Sequence, residues 1–182
     1  MFRNRIFAAL VTFFALLAAS AALAPAASAR GCAGADAAPK GKARSTVLCL
    51  LNQQRRAHGL RPLRSNGRLR RAAKRHSAHM ARADFFGHTT PSGTSMTDRV
   101  RRSGYTRRAR GWSIGENIAW GVGGLATPRQ IVAAWMRSPG HRANILNGGF
   151  REIGIGIASG APVRVHASGG GATYTTDFGV RR

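Results

Sequence analysis

Apolar residues in the first half of the chain recur at helical spacing. Val47, Leu48, Leu50 and Leu51 open a helix that starts near Ser45 and ends at Gly59, a residue that tolerates the positive φ of a helix C-terminus. Pro62 then breaks the chain. Leu69, Ala72, Ala73, His76 and Met80 fall at i, i+3, i+4, i+7 and i+11, which predicts an amphipathic helix over about 66–83. Arg68, Arg70, Arg71, Lys74 and Arg75 flank that apolar stripe on the solvated side. Ser95-Met96-Thr97-Asp98 has the form of a capping box and starts a short helix that stops at Gly104. Thr127-Pro128-Arg129-Gln130 combines an N-cap threonine, proline at the first helical position and glutamine at the third. The helix it begins carries Ile131, Val132, Ala134 and Trp135 inward and ends near Arg137. Pro139 then opens a further turn that bears His141, Ile145 and Leu146.

Beyond Asn147 the period becomes two. Ile153, Ile155 and Ile157 alternate with small residues, and Val163 to Ala167 and Thr173 to Phe178 read as further strands. Ser168-Gly169-Gly170-Gly171 supplies the turn between the last two. With a strand near Ile114 to Trp120, four helices and a C-terminal antiparallel meander, the pattern predicts an α+β domain. No internal repeat is visible.

The N-terminus changes the picture. Arg3 and Arg5 precede an apolar run from Ile6 to Ala19, and Ala27-Ser28-Ala29 fits a small-x-small cleavage site. Residues 1–29 are therefore read as a signal peptide and the product as secreted. The alternative is a retained anchor, because weakly apolar residues continue to Ala24, but alanine dominates that extension and Pro25 follows it. A lipoprotein reading is poorer, since Arg30 sits in the small-residue context that should precede a modified Cys32. Removing 29 of the 182 residues leaves 153, enough for one domain with a substantial core. Residues 30–44, poor in large apolar side chains and rich in Ala, Gly and Lys, read as a flexible arm, and residues 45–182 as the folded domain.

The mature chain keeps 27 of the 29 basic residues against 6 acidic ones, a net charge of +21 with histidine neutral. Such a field favours anionic partners: an envelope polymer, anionic lipid or nucleic acid. Only Lys40, Lys42 and Lys74 are lysines, however, and arginine accompanies abundant Ala and Gly, the pattern that a GC-rich coding bias produces. The arginines are scattered and not interleaved with aromatics, so specific nucleic-acid binding is not expected. In an exported chain Cys32 and Cys49 read as one disulfide, with two free thiols as the alternative. Closing that loop contributes on the order of 3 kcal/mol.

Three segments carry the candidate chemistry: Phe85-Phe86-Gly87-His88, Gly115-Glu116-Asn117-Ile118-Ala119-Trp120-Gly121, and Trp135-Met136-Arg137-Ser138-Pro139-Gly140-His141-Arg142-Ala143-Asn144-Ile145-Leu146. In this order they resemble the CAP superfamily of cysteine-rich secretory proteins, insect-venom antigen 5 and plant pathogenesis-related proteins, and more closely its short bacterial secreted members with an SCP-like domain. The resemblance covers roughly Thr46 to Gly179. It implies a three-layer α-β-α sandwich with a central antiparallel sheet, and a surface cleft lined by two histidines, here His88 and His141, and a glutamate, here Glu116. Some members bind zinc or another divalent ion there. Ser138 stands where eukaryotic members place a second carboxylate, as it commonly does in bacterial relatives, so metal affinity is expected to be lower.

Two imidazoles and one carboxylate make a sound ligand set for Zn2+ with an open position, so His88, Glu116 and His141 are the candidate metal ligands. Each also has a purely structural reading: Glu116 as a hydrogen-bond acceptor that holds loops, His141 packed on Trp135 or capping its helix, His88 as a satisfied loop residue. His76 and His79 fall on and beside an apolar stripe and read as core or rim. His58 and His166 have no supporting context. The chain contains no HExxH motif. The expected function is a non-catalytic secreted domain that binds a lipid, an envelope component or a protein, or a divalent metal, in the His/Glu cleft. A metal-dependent hydrolase in the same cleft and a polycation that coats anionic envelope or nucleic acid are the alternatives.

Overall fold

The computed structural model describes residues 31–39, 41–163 and 170–182. The signal segment and all but the first residue of the strand expected over Val163–Ala167 lie outside the described residues. Among the described residues there are five α-helices and four strands: α1 (Ala43–Ala57), β1 (Arg64–Ser65), α2 (Gly67–Arg82), α3 (Met96–Arg102), β2 (Trp112–Val122), α4 (Pro128–Arg137), α5 (Pro139–Ile145), β3 (Glu152–Ser159) and β4 (Gly171–Arg181).

Side-chain caps start three of the helices. Asn66 accepts from the backbone N–H groups of Arg68 and Leu69 at the start of α2. Ser95 and Asp98 complete a reciprocal capping box on α3, and Thr127 accepts from Gln130 N at the start of α4. The turn after Pro139 extends to a helix of 7 residues.

The strands form one sheet in the order β1-β3-β4-β2. β3 and β2 both run antiparallel to β4. The two-residue β1 pairs parallel with β3, Arg64 opposite Glu152 and Ser65 opposite Ile153. The sheet is therefore mixed and not wholly antiparallel as expected. A segment of two residues has no period, and β1 follows from where Leu63 and the start of α2 anchor the chain.

The alternation in β3 sorts the two outer layers. Ile153 and Ile155 join a core of Val47, Leu50, Leu51, Ile131 and Trp135, which belongs to the α1–α4–α5 side. The intervening Gly154 and Gly156 face α2 at backbone distance: a Cβ there would lie 2.0 Å from Leu69 C and 2.3 Å from Ala73 C. No side chain larger than hydrogen fits, so α2 packs its main chain against the sheet. A second cluster of Leu69, Ala72, Val100 and Tyr105 closes the α2–α3 side. The result is a sheet between two helical layers.

Ahead of α1, Cys32 and Cys49 form a disulfide, and Cys32 and Ala35 are buried. The Thr46 hydroxyl donates to Ala33 O at 2.7 Å, and Arg129 pairs with Asp36. At the other end of α1, Arg55 is fully buried and donates to the carbonyls of Arg61, Ile145 and Asn147 at 2.9, 2.7 and 2.9 Å. Its guanidinium ties α1 to the loop between α5 and β3.

Candidate functional site

Glu116 lies on the edge strand β2, its side chain only 1% exposed. An isolated carboxylate there would cost several kcal/mol, and Arg99 of α3 compensates. Arg99 Nη2 donates to Glu116 Oε1 at 2.9 Å and Oε2 at 2.7 Å. His88 Nδ1 lies 2.8 Å from the same Oε1. Burial by itself raises the Glu116 pKa, but the His88 hydrogen bond and the Arg99 charge outweigh it and hold the group below the ordinary glutamate range.

The His88 side chain remains 53% exposed. Because its Nδ1 faces a carboxylate acceptor, that nitrogen carries the proton, and in the neutral ring Nε2 holds the lone pair. Further contacts position the loop. Arg99 Nη1 donates to His88 O at 2.8 Å and to Thr94 O at 3.2 Å. His76, reaching from α2, donates through Nε2 to Gly87 O at 2.9 Å. Phe85 packs its ring edge-on against His79 with centroids 4.9 Å apart. His76, expected in the core or rim, is thus buried and also sets the residue before His88.

His141 lies on α5, half-buried, and burial followed by the nearby His88 lowers its pKa. Its backbone carbonyl accepts from Asn117 Nδ2 at 3.0 Å. Asn144 Nδ2 donates to Asn117 Oδ1 at 2.9 Å and to Glu116 O at 3.2 Å. Gly115 admits this approach, since a Cβ there would meet Asn144 Oδ1 at 2.9 Å and the Phe150 ring at 3.1 Å. Glu116 and His88 are therefore bonded directly, while His141 is held beside them by the Asn117–Asn144 pair. Among the described residues, no hydrogen bond joins the His141 ring to Glu116 or to Ser138. Ser138 sits at the junction of α4 and α5 without a side-chain cap.

Two members escape sequence reading. Arg99 is one of many arginines, and nothing local marks it as one that becomes buried. Asp177 lies directly across the ladder from Glu116 and is 1% exposed; among the described residues no donor reaches either oxygen. Burial and the Glu116 charge push its pKa well above the ordinary aspartate range. Protonated, it becomes a donor, and Glu116 is the acceptor next to it.

The donor chemistry bears on metal binding. Both Glu116 oxygens are engaged by a guanidinium, and no group of three or more His, Cys, Asp or Glu among the described residues is arranged to hold a metal ion. Glu116 is placed to orient His88.

A sheet between two helical layers is an architecture that this chain shares with proteins of known fold. The model of the cysteine-rich secretory protein family, CAP, matches residues 48–175, and the chain belongs to that family. It is 38% identical over 116 residues to "Uncharacterized protein YkwD" of Bacillus subtilis (strain 168), covering 63% of this chain and 42% of that one. It is 31% identical over 112 residues to "Uncharacterized membrane protein YlbC" of the same organism, covering 61% and 30%. The chain thus spans less than half the length of these relatives. Among solved structures it resembles an extracellular SCP-domain protein from Bacillus anthracis str. Ames, with TM-score 0.59, 27% identity and coverage of 76% of this chain and 40% of that one. An outer surface protein from Borrelia burgdorferi shares the fold, with TM-score 0.60 at 18% identity over 78% and 94% of the two chains. Among the described residues, no helix is long and apolar enough to cross a membrane.

Proposed function

We propose that this chain is an exported, non-catalytic binding domain that takes its ligand at the surface around His88 and His141, above the buried Glu116–Arg99 ion pair. The N-terminal leader supports export, and the extracellular and outer-surface relatives agree with it. One observation carries the reading: Glu116 is buried and engaged on both oxygens, whereas His88 is half exposed. The carboxylate then fixes an imidazole whose Nε2 is presented to a partner. A lipid, an envelope component or a protein are the candidate ligands.

Two features weaken the metal-dependent hydrolase. Both Glu116 oxygens already accept from Arg99, and a divalent ion there would meet the positive charge of that guanidinium. The high net charge keeps a polycation mechanism as the competitor, and salt separates the two, because phosphate-type binding falls steeply as salt rises.

The test is co-sedimentation with phosphatidylglycerol and phosphatidylcholine vesicles and with purified envelope polymer, at low and high salt. Wild type is compared with the His88→Ala/His141→Ala variant, and zinc is titrated into both. Expected are binding that survives salt and is lost in the variant at unchanged thermal midpoint, and no stoichiometric zinc. Binding that the variant retains, or a variant that loses stability as much as binding, overturns the reading. Stoichiometric zinc that the variant loses would make the surface a metal site.

A further inference from the structure

An open groove of about 530 Å3 lies at one end of the sheet, lined by Arg61, Arg64, Arg151, Arg181 and Glu152 together with a proline and a valine. None of these residues belongs to the His88–His141 surface. Strand order brings the arginines together. Arg64 is on β1, Arg151 directly precedes β3 and Arg181 is on β4, and these three strands are neighbours. The register sets Arg64 opposite Glu152 and Glu152 opposite Gly179, so the arginines gather at the same end. Two strand steps separate Arg64 from Arg181, about 10 Å in all.

The backbone that carries these cations is held from beneath. Arg55 donates to Arg61 O at 2.9 Å and to Phe150 O at 3.4 Å, and Arg64 N donates to Arg151 O at 2.9 Å. A ligand therefore meets a groove whose main chain is already ordered. The charge, by contrast, is unbalanced. Glu152 is the one carboxylate in the lining, and both its oxygens are engaged: Oε1 accepts from Asn66 and Oε2 from Tyr105, each at 2.7 Å. Arg181 lies 3.5 Å from the same Oε2 and takes what remains of that charge. Arg61, Arg64 and Arg151 are exposed, and among the described residues none of them pairs with a carboxylate. Arg55 registers the excess, since burial and then the Arg151 charge lower its pKa.

The lining decides the occupant. Planar guanidinium forks suit phosphate oxygens, and a row of them across three strands suits a chain that repeats its charge better than a single small ion. No aromatic ring is among the lining residues, so a nucleic-acid base would find nothing to stack on. We propose that this groove docks a linear, base-free phosphodiester polymer of the cell envelope, whose successive phosphates accept from Arg61, Arg64 and Arg151. The envelope as its source rests on the exported reading above; the groove itself does not depend on the His88–His141 surface. The contact is local, and in this it differs from a diffuse coating by a polycation.

The test is fluorescence anisotropy of a labelled short oligo(glycerol phosphate) with the full mature chain over a range of salt. Monomeric glycerol phosphate and an oligo(dT) with the same number of phosphates serve as competitors. Arg61→Gln/Arg64→Gln removes two exposed groove cations, and Arg82→Gln/Arg107→Gln removes two exposed arginines outside the groove, so the two variants carry the same net charge. Expected is oligomer binding at least about tenfold tighter than monomer at equal phosphate concentration. The groove variant weakens it about tenfold and lowers the salt slope by about 2, while the control loses less than about threefold at an unchanged slope. The thermal midpoint stays the same in both. His88→Ala/His141→Ala keeps this salt-sensitive binding, which separates it from the salt-resistant binding expected at that surface. Equal losses in the groove and control variants overturn the proposal in favour of a diffuse field. Tighter competition by oligo(dT) overturns it in favour of nucleic acid, and competition by monomer as tight as oligomer in favour of a free phosphate site. No binding by folded wild type at low salt also overturns it.

Discussion

Glu116 and Asp177 stand opposite one another on neighbouring antiparallel strands, both buried, with the guanidinium of Arg99 beside them. Two adjacent carboxyls in such a place do not both ionise. Arg99 and His88 hold Glu116 in its charged form, and Asp177 takes the proton. The pair is neutralised as far as one guanidinium allows, and β2 is fastened to β4 at the strand that carries the site.

This arrangement gives Asp177 a signature in pH. Its pKa is raised in the folded chain, so above the ordinary aspartate range the native state holds a proton that the unfolded chain has released. Stability then falls as pH rises toward the folded pKa, by up to about 1.4 kcal/mol per unit. Asp177→Asn, which can still donate to Glu116, is expected to match wild type near pH 4 and to exceed it at pH 8. Urea unfolding at both values checks this, and equal stability at pH 8 contradicts the protonated assignment.

His76 acts in the opposite direction. Its folded pKa of about 4 lies below the ordinary histidine value of 6.5, so only the unfolded chain gains a proton over this interval. The contribution is complete above about 6.5 and is lost as pH falls toward 4, roughly 3 kcal/mol in all. His76→Gln is expected to flatten the stability profile between pH 6.5 and 4 measured by denaturant titration.

Gly156 is a steric requirement. A Cβ at this position would come 2.3 Å from the Ala73 carbonyl carbon on α2, and a helix backbone cannot yield as a side chain can. Gly156→Ala is expected to cost at least about 3 kcal/mol and to lower the thermal midpoint by well over about 5 °C. Gly124→Ala, where nothing lies within 4 Å of the added atom, serves as the mild control.

Arg55 anchors carbonyls, and among the described residues it has no carboxylate partner. Replacing it with methionine keeps the stem but leaves Ile145 O and Asn147 O without their donor. The expected loss is about 3 kcal/mol or more, and hydrogen exchange should quicken first at the C-terminal end of α5.

Much of this was legible along the chain. The stripe from Leu69 to Met80 and the caps at Ser95 and Thr127 are local rules, and α2, α3 and α4 follow them. The isoleucine alternation marks β3, but its glycines read as merely small residues until α2 is seen against them. β1 left no trace, because two residues carry no period.

The sequence by itself determined the family, the helices with clear caps, the long strands, the cysteine pair and the three segments that bear His88, Glu116 and His141. Each of these rests on neighbours within a few positions or on a motif read in order. Tertiary structure decided which of many arginines would be buried against Glu116, that Asp177 would face it, and that His76 would reach Gly87 and leave Nδ1 unpartnered. Those outcomes depend on strand register and on where α2 and α3 cross the sheet, and so on contacts between residues far apart in the chain.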